Sequence, residues 1–92
     1  GEATALTVFA CIVEALRARR GKVRGATAAI EGIGAVGAAL AGMLDEAGVR
    51  VTGVSNRLTA VHDPAGLDVS RILQLRSEQG DAPSWACFWS RR

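Results

Sequence analysis

The sequence predicts an α/β protein organised around one strand–helix–strand unit, with one helix before it and another after it. Three observations carry that prediction. Residues 26–31 form a short apolar run that ends at a glycine; residues 35–47 switch to helical spacing; residues 49–55 form the most strand-like stretch of the chain, between Gly48 and Asn56. Strand, glycine turn, helix and strand within about 30 residues make a βαβ unit, whose crossover is right-handed and sets its two strands parallel.

In the first helix, residues 4–20, Val8, Phe9, Ile12, Val13 and Leu16 recur as one stripe, with Glu14, Arg17 and Arg20 off it. Gly21 is expected to end it, and the basic residues of the last turn suit the negative end of the helix dipole. The strand at 26–31 is assigned from context, because alanine is a poor strand former. In the second helix Val36, Leu40, Met43, Leu44 and Ala47 share a face, Gly48 is the expected C-cap, and Asp45 and Glu46 are expected to be solvated. After the second strand, residues 59–62 suit a short extended piece, and Asp63-Pro64-Ala65-Gly66 is a turn signal. Asp68 then stands where an N-cap belongs, ahead of Val69, Ile72 and Leu73 in a last helix reaching about Glu78. Residues 81–92 show no clean period and are expected to form an irregular tail, in which Trp85, Cys87, Phe88 and Trp89 make an apolar group.

Composition excludes several function classes. With 92 residues the chain holds one small domain or a piece of one, and alanine supplies much of its 49% hydrophobic content. The net charge of +2 is spread along the chain apart from residues 17–24 and the final Arg91-Arg92, which is no basic stripe for nucleic acid. Cys11 and Cys87 have neither disulfide-framework nor zinc-ligand spacing, so no metal site is expected and reduced thiols in a cytoplasmic protein are the simplest reading. The longest uncharged runs, 3–13 and 32–44, fall short of the ~20 residues that span a bilayer, so no membrane role is expected. The first residue is not Met, and the chain is expected to be a fragment.

The chemistry lies in the string EGIGAVGAAL at 31–40. A bare G-x-G-x-x-G is a weak signal in a chain with 11 glycines, but here it follows a strand, opens a helix and sits inside a βαβ unit. That is the setting of a dinucleotide-binding turn, and the predicted fold becomes a partial Rossmann-type parallel sheet. Gly32 permits the tight turn, Gly34 leaves room for a pyrophosphate, and Gly37 lets helix and strands pack closely. The N–H groups of Gly34, Ala35 and Val36 would face the phosphates at the positive end of the helix. Nineteen residues after Gly37 an acid normally takes the ribose hydroxyls, but this chain has Asn56 followed by Arg57. The amide weakens the usual preference for NAD and the arginine could pair with a 2′-phosphate, so the cofactor is read as NAD or NADP with a lean towards NADP; the bland alternative for Arg57 is a solvated loop charge. His62 has no nucleophile or metal partner at telling spacing, and no catalytic role is expected for it.

The segments KVRGATAAIEGIGAVGAALAGMLDEAGVRVTGVSN and HDPAGLD resemble the nucleotide-binding domain of the glutamate, leucine, phenylalanine and valine dehydrogenases, most of all glutamate dehydrogenase. Upstream, EATALTVFACIVEALR resembles the family's helix leading into that domain, so the resemblance covers roughly residues 1–80. It implies NAD(P)-dependent, reversible oxidative deamination of an L-amino acid to its 2-oxo acid and ammonia, in an enzyme that is a homo-oligomer. It further implies that Gly32, Gly34 and Gly37 are the family's glycines, that Ala35 and Val36 donate backbone N–H groups, that Ser55 and Asn56 read the adenosine ribose, and that Thr4 lies near the nicotinamide. The family's catalytic lysine and aspartate belong to a substrate domain absent from this chain, so no catalytic residue is assigned. Departures from the family pattern are Ala5 and Leu6 in the first helix, Glu31 for the usual glutamine, Ala35 for a frequent asparagine and Asn56 for the usual acid.

Two functions compete. The first is the front half of the cofactor domain of an amino acid dehydrogenase, weakly nucleotide-binding and non-catalytic alone. The second is a non-catalytic module, a degenerate nucleotide binder or an interaction fragment whose exposed sheet edge pairs with a partner chain.

Overall fold

The computed structural model describes residues 2–56 and 60–79. Arg57, Thr59 and the tail at 81–92 lie outside the described residues. Within them the order is α1 (Glu2–Ala18), β1 (Thr27–Glu31), α2 (Ala35–Glu46), β2 (Arg50–Ser55), β3 (Ala60–His62) and α3 (Val69–Gln79). β1 and β2 pair parallel, as a βαβ unit requires, and β3 returns antiparallel on the far side of β2. The sheet is therefore mixed, its parallel pair being the predicted Rossmann-type unit.

Helix α2 is the hub, packing on β1 and β2 and touching both α1 and α3. Its Ala41 and Leu44 meet Ile30, Val51 and Val54 from the sheet, with Leu67, Ile72 and Leu75 completing the core. In α1 the buried line starts at Ala5 and continues through the half-buried Phe9, Ile12 and Leu16. Val8, expected on that stripe, is exposed, as is Leu6. The reason is angular: residues 5, 9, 12 and 16 follow the i, i+4, i+7, i+11 spacing of one helix face, and Val8 falls beside it.

Val51 and Val54 are three residues apart, so a regular strand would send them to opposite faces. Both are buried because the pairing slips between Ala28 and Ala29, which leaves Thr52 as an extra residue on β2. The Thr52 hydroxyl donates to the Ala28 carbonyl at 3.3 Å, and its own carbonyl accepts from Asp63 N–H at 2.8 Å. This bulge restores the inward set of side chains at the end of β2 that carries the site.

The segment between β3 and α3 is built by two acids. The Asp63 carboxylate accepts from Ala65 N–H at 2.9 Å and its carbonyl accepts from Gly66 N–H at 2.9 Å, closing the expected turn. Asp68 caps α3 as expected, its carboxylate accepting from Arg71 N–H at 3.1 Å. Between them Leu67 is buried and its N–H donates to the Val51 carbonyl at 2.8 Å, which holds the segment on the sheet.

Candidate dinucleotide-binding site

The glycine turn sits where β1 hands over to α2, at the carboxyl ends of both parallel strands, the position where open α/β sheets bind ligands. The chain reverses at Gly32, whose φ of +83° only glycine adopts without strain. Ile33 then drops its side chain into the core, and Gly34 becomes the N-cap of α2 in an extended conformation.

Three neighbours fix this turn. The Ser55 carbonyl, at the end of β2, accepts from Gly32 N–H at 3.0 Å and from Ile33 N–H at 2.8 Å, and the Ser55 hydroxyl lies 3.3 Å from the same Gly32 nitrogen. Gly37, one turn into α2, presses on the Gly32 carbonyl, where any Cβ would overlap the oxygen. Arg76 of α3 reaches the turn across 43 residues of sequence, and its Nε donates to the Ile33 carbonyl at 2.9 Å.

In front of Gly34 the turn is open. A Cβ on Gly34 would meet nothing within 4 Å. Helix α2 has no side-chain cap and no acid in its first turn. The first-turn N–H groups of any α-helix lack intrahelical acceptors, so those of Ala35 and Val36 carry the positive end of the dipole without a carboxylate to compete for it. An uncapped helix end with clear space before a glycine fits an anionic pyrophosphate.

The structure thus brings Gly32, Gly34, Ala35, Val36 and Gly37 together at one helix end and joins Ser55 to them. Asn56 follows directly on β2 and is half-buried. Thr4 is exposed on the first turn of α1. Glu31 lines a shallow depression of about 420 Å³ with Ala29, Ile30, Gly53, Val54 and Ser55. Asp45 is half-buried, so only Glu46 of that pair is exposed as expected. Among the described residues no group of three or more His, Cys, Asp or Glu could hold a metal ion, and no helix is long and apolar enough to cross a membrane. Arg76 is the site residue that sequence reading missed. A basic residue in a last helical turn is ordinary dipole complementation, and nothing in its spacing announces a bond to the glycine turn.

Residues 1–87 match the profile of the Glutamate/Leucine/Phenylalanine/Valine dehydrogenase family, a span that passes residue 80, where the resemblance was expected to stop. The chain is 37% identical over 78 residues to the cryptic catabolic NAD-specific glutamate dehydrogenase GudB of Bacillus subtilis (strain 168), which covers 85% of this chain and 18% of that protein. It is 38% identical over 77 residues to the NAD-specific glutamate dehydrogenase of Staphylococcus aureus (strain COL), with 84% and 19% covered. Its fold matches the hetero-hexameric glutamate dehydrogenase of Thermus thermophilus in the leucine-bound form at a TM-score of 0.73 and 33% identity, covering 90% of this chain and 20% of that one. The chain therefore spans about a fifth of the length of these relatives. With the family profile matching along nearly its whole length and the fold shared with a solved glutamate dehydrogenase, the chain belongs to the glutamate/leucine/phenylalanine/valine dehydrogenase family.

Proposed function

We propose that this chain is the dinucleotide-binding front part of an NAD-dependent dehydrogenase that deaminates an L-amino acid, with glutamate the favoured substrate. The observation that carries the reading is the open, uncapped start of α2 in front of Gly34, held by Ser55 and Gly37. The pyrophosphate lies there on the N–H groups of Gly34, Ala35 and Val36, with Gly32 and Gly37 shaping the turn. Ser55 and Asn56 border the ribose, and Thr4 lies towards the nicotinamide. Residues 1–80 form the N-terminal part of the domain. Bound NAD supplies the hydride acceptor, and no residue of this chain is assigned to chemistry on the substrate.

NAD is favoured over NADP because the relatives named above are NAD-specific glutamate dehydrogenases. Arg57, the residue behind the lean towards NADP, lies outside the described residues. Titrating the chain with NAD, NADP and ADP-ribose by calorimetry tests the reading. NAD and ADP-ribose are expected to bind weakly, and Gly34→Val to abolish that binding with the fold intact. An unchanged affinity in Gly34→Val would sink the assignment.

One observation favours the second reading, an interaction module. β1 is an edge strand of the described sheet, and its Thr27, Ala29 and Glu31 are exposed. Concentration-dependent self-association without any nucleotide affinity would favour it.

A further inference from the structure

We infer that Arg76 is the positioning residue of the glycine turn: it sets the plane of the Ile33–Gly34 peptide so that Gly34 N–H faces the phosphate side. The inference rests on the dinucleotide reading above, and it adds a residue from outside the glycine motif. In a trans peptide the C=O and N–H of one unit lie in one plane and point in opposite directions, and no peptide bond among the described residues is cis. Anchoring the Ile33 carbonyl on Arg76 Nε at 2.9 Å therefore turns Gly34 N–H away from α3.

This peptide needs such an anchor. The Ile33 side chain is buried and its N–H is held by Ser55 at 2.8 Å, which fixes everything up to the Ile33 Cα. Beyond that atom, rotation about ψ of Ile33 and φ of Gly34 can flip the peptide plane without moving either neighbour. Gly34 offers no resistance, since glycine lacks the Cβ that restricts φ and nothing lies within 4 Å of where that Cβ would be. A flipped plane would present the Ile33 carbonyl, a partial negative charge, to the phosphates in place of a donor. The Arg76 bond is charge-assisted and half-buried, the kind that holds its geometry.

Two variants of the whole chain separate the hydrogen bond from the charge and from helix packing. In Arg76→Gln the amide nitrogen sits as many bonds from Cα as Arg Nε, so the donor is kept and the charge lost. In Arg76→Met the side chain ends at the same distance along its bonds as in Gln, and the donor is lost. In the ligand-free chain the Gly34 amide resonance and its hydrogen exchange are expected to change in Met and to stay near the unaltered chain in Gln. In NMR titrations with NAD, ADP and adenosine, Met is expected to bind NAD and ADP about tenfold more weakly, the scale of one lost hydrogen bond, with adenosine unaffected. Gln is expected to stay within about twofold.

The inference is overturned if Met leaves both the Gly34 amide and the NAD affinity unchanged, if Gln behaves as Met does, or if adenosine weakens in step with NAD, which would mark a merely structural residue. Failure of the unaltered chain to bind NAD or ADP would instead sink the dinucleotide reading, and the Gly34 amide comparison would then decide alone whether Arg76 sets the peptide.

Discussion

The α-carbon of Gly37 sits so close to the Gly32 carbonyl oxygen that a methyl group on residue 37 would overlap it. The Ile30 side chain would lie 3.4 Å from the methyl, an ordinary contact, so the overlap is with the Gly32 carbonyl. Both neighbours are pinned, Gly32 by Ser55 and Ile30 by the core. Gly37→Ala is therefore expected to destabilise the chain by about 1–3 kcal/mol, the usual cost of overpacking. Gly34→Ala adds the same methyl into open space and is expected to change stability by less than about 0.5 kcal/mol. Urea unfolding of the two variants side by side checks this; equal destabilisation would show that the two glycines do not divide the work of packing and access.

The acids of HDPAGLD are structural. Asp63 is buried and its carboxylate holds the turn through Ala65 N–H, while the Asp68 carboxylate caps α3 through Arg71 N–H. Asp68→Ala is expected to cost about 1 kcal/mol and Asp68→Asn much less, because asparagine caps as well. Asp63→Ala is expected to cost about 1 kcal/mol, since it removes the buried carboxylate that accepts from Ala65 N–H in a part-buried bond. Neither change touches the glycine turn, so NAD affinity measured well below the unfolding transition is expected to stay constant. A loss of affinity without a loss of stability would move these acids into the binding site.

How much of this was legible in the sequence differs from element to element. The βαβ unit and the glycine turn were, because helical and strand periods and the G-x-G-x-x-G spacing are local properties. The Asp68 cap and the turn at Asp63 were legible for the same reason. The bulge at Thr52 was not, although a glycine inside a strand pattern, Gly53, is a recognised sign of one. Val8 was misplaced because an alanine, Ala5, holds the most buried position of α1, and alanine weighs little in a reading by hydrophobicity. The bond between Arg76 and Ile33 depends on the tertiary approach of α3 to the turn, which no local pattern encodes.

Two helices end in the same motif with different residues at its strained position. In α2, Gly48 N–H returns to Asp45 at 3.1 Å and Val49 N–H to Leu44 at 2.9 Å, with Gly48 at a φ of +86°. In α1, Arg20 N–H returns to Arg17 at 2.9 Å and Gly21 N–H to Leu16 at 2.8 Å, so the left-handed residue is Arg20 at +59° and not the expected Gly21. A Schellman ending needs its left-handed residue at the C′ position, and in α1 glycine arrives one residue late. A side chain in that conformation costs roughly 1–2 kcal/mol, partly offset by the greater unfolded-state freedom of glycine. Arg20→Gly is thus expected to stabilise the chain by about 0.5–1 kcal/mol, or up to about 6 °C in a domain of this size. Gly48→Ala is expected to do the reverse by about 1 kcal/mol, as its new methyl also meets the Arg24 side chain at 3.0 Å. Thermal unfolding followed by circular dichroism reads both shifts. A lower midpoint for Arg20→Gly would show that the arginine side chain contributes more through its own contacts than its backbone strain costs.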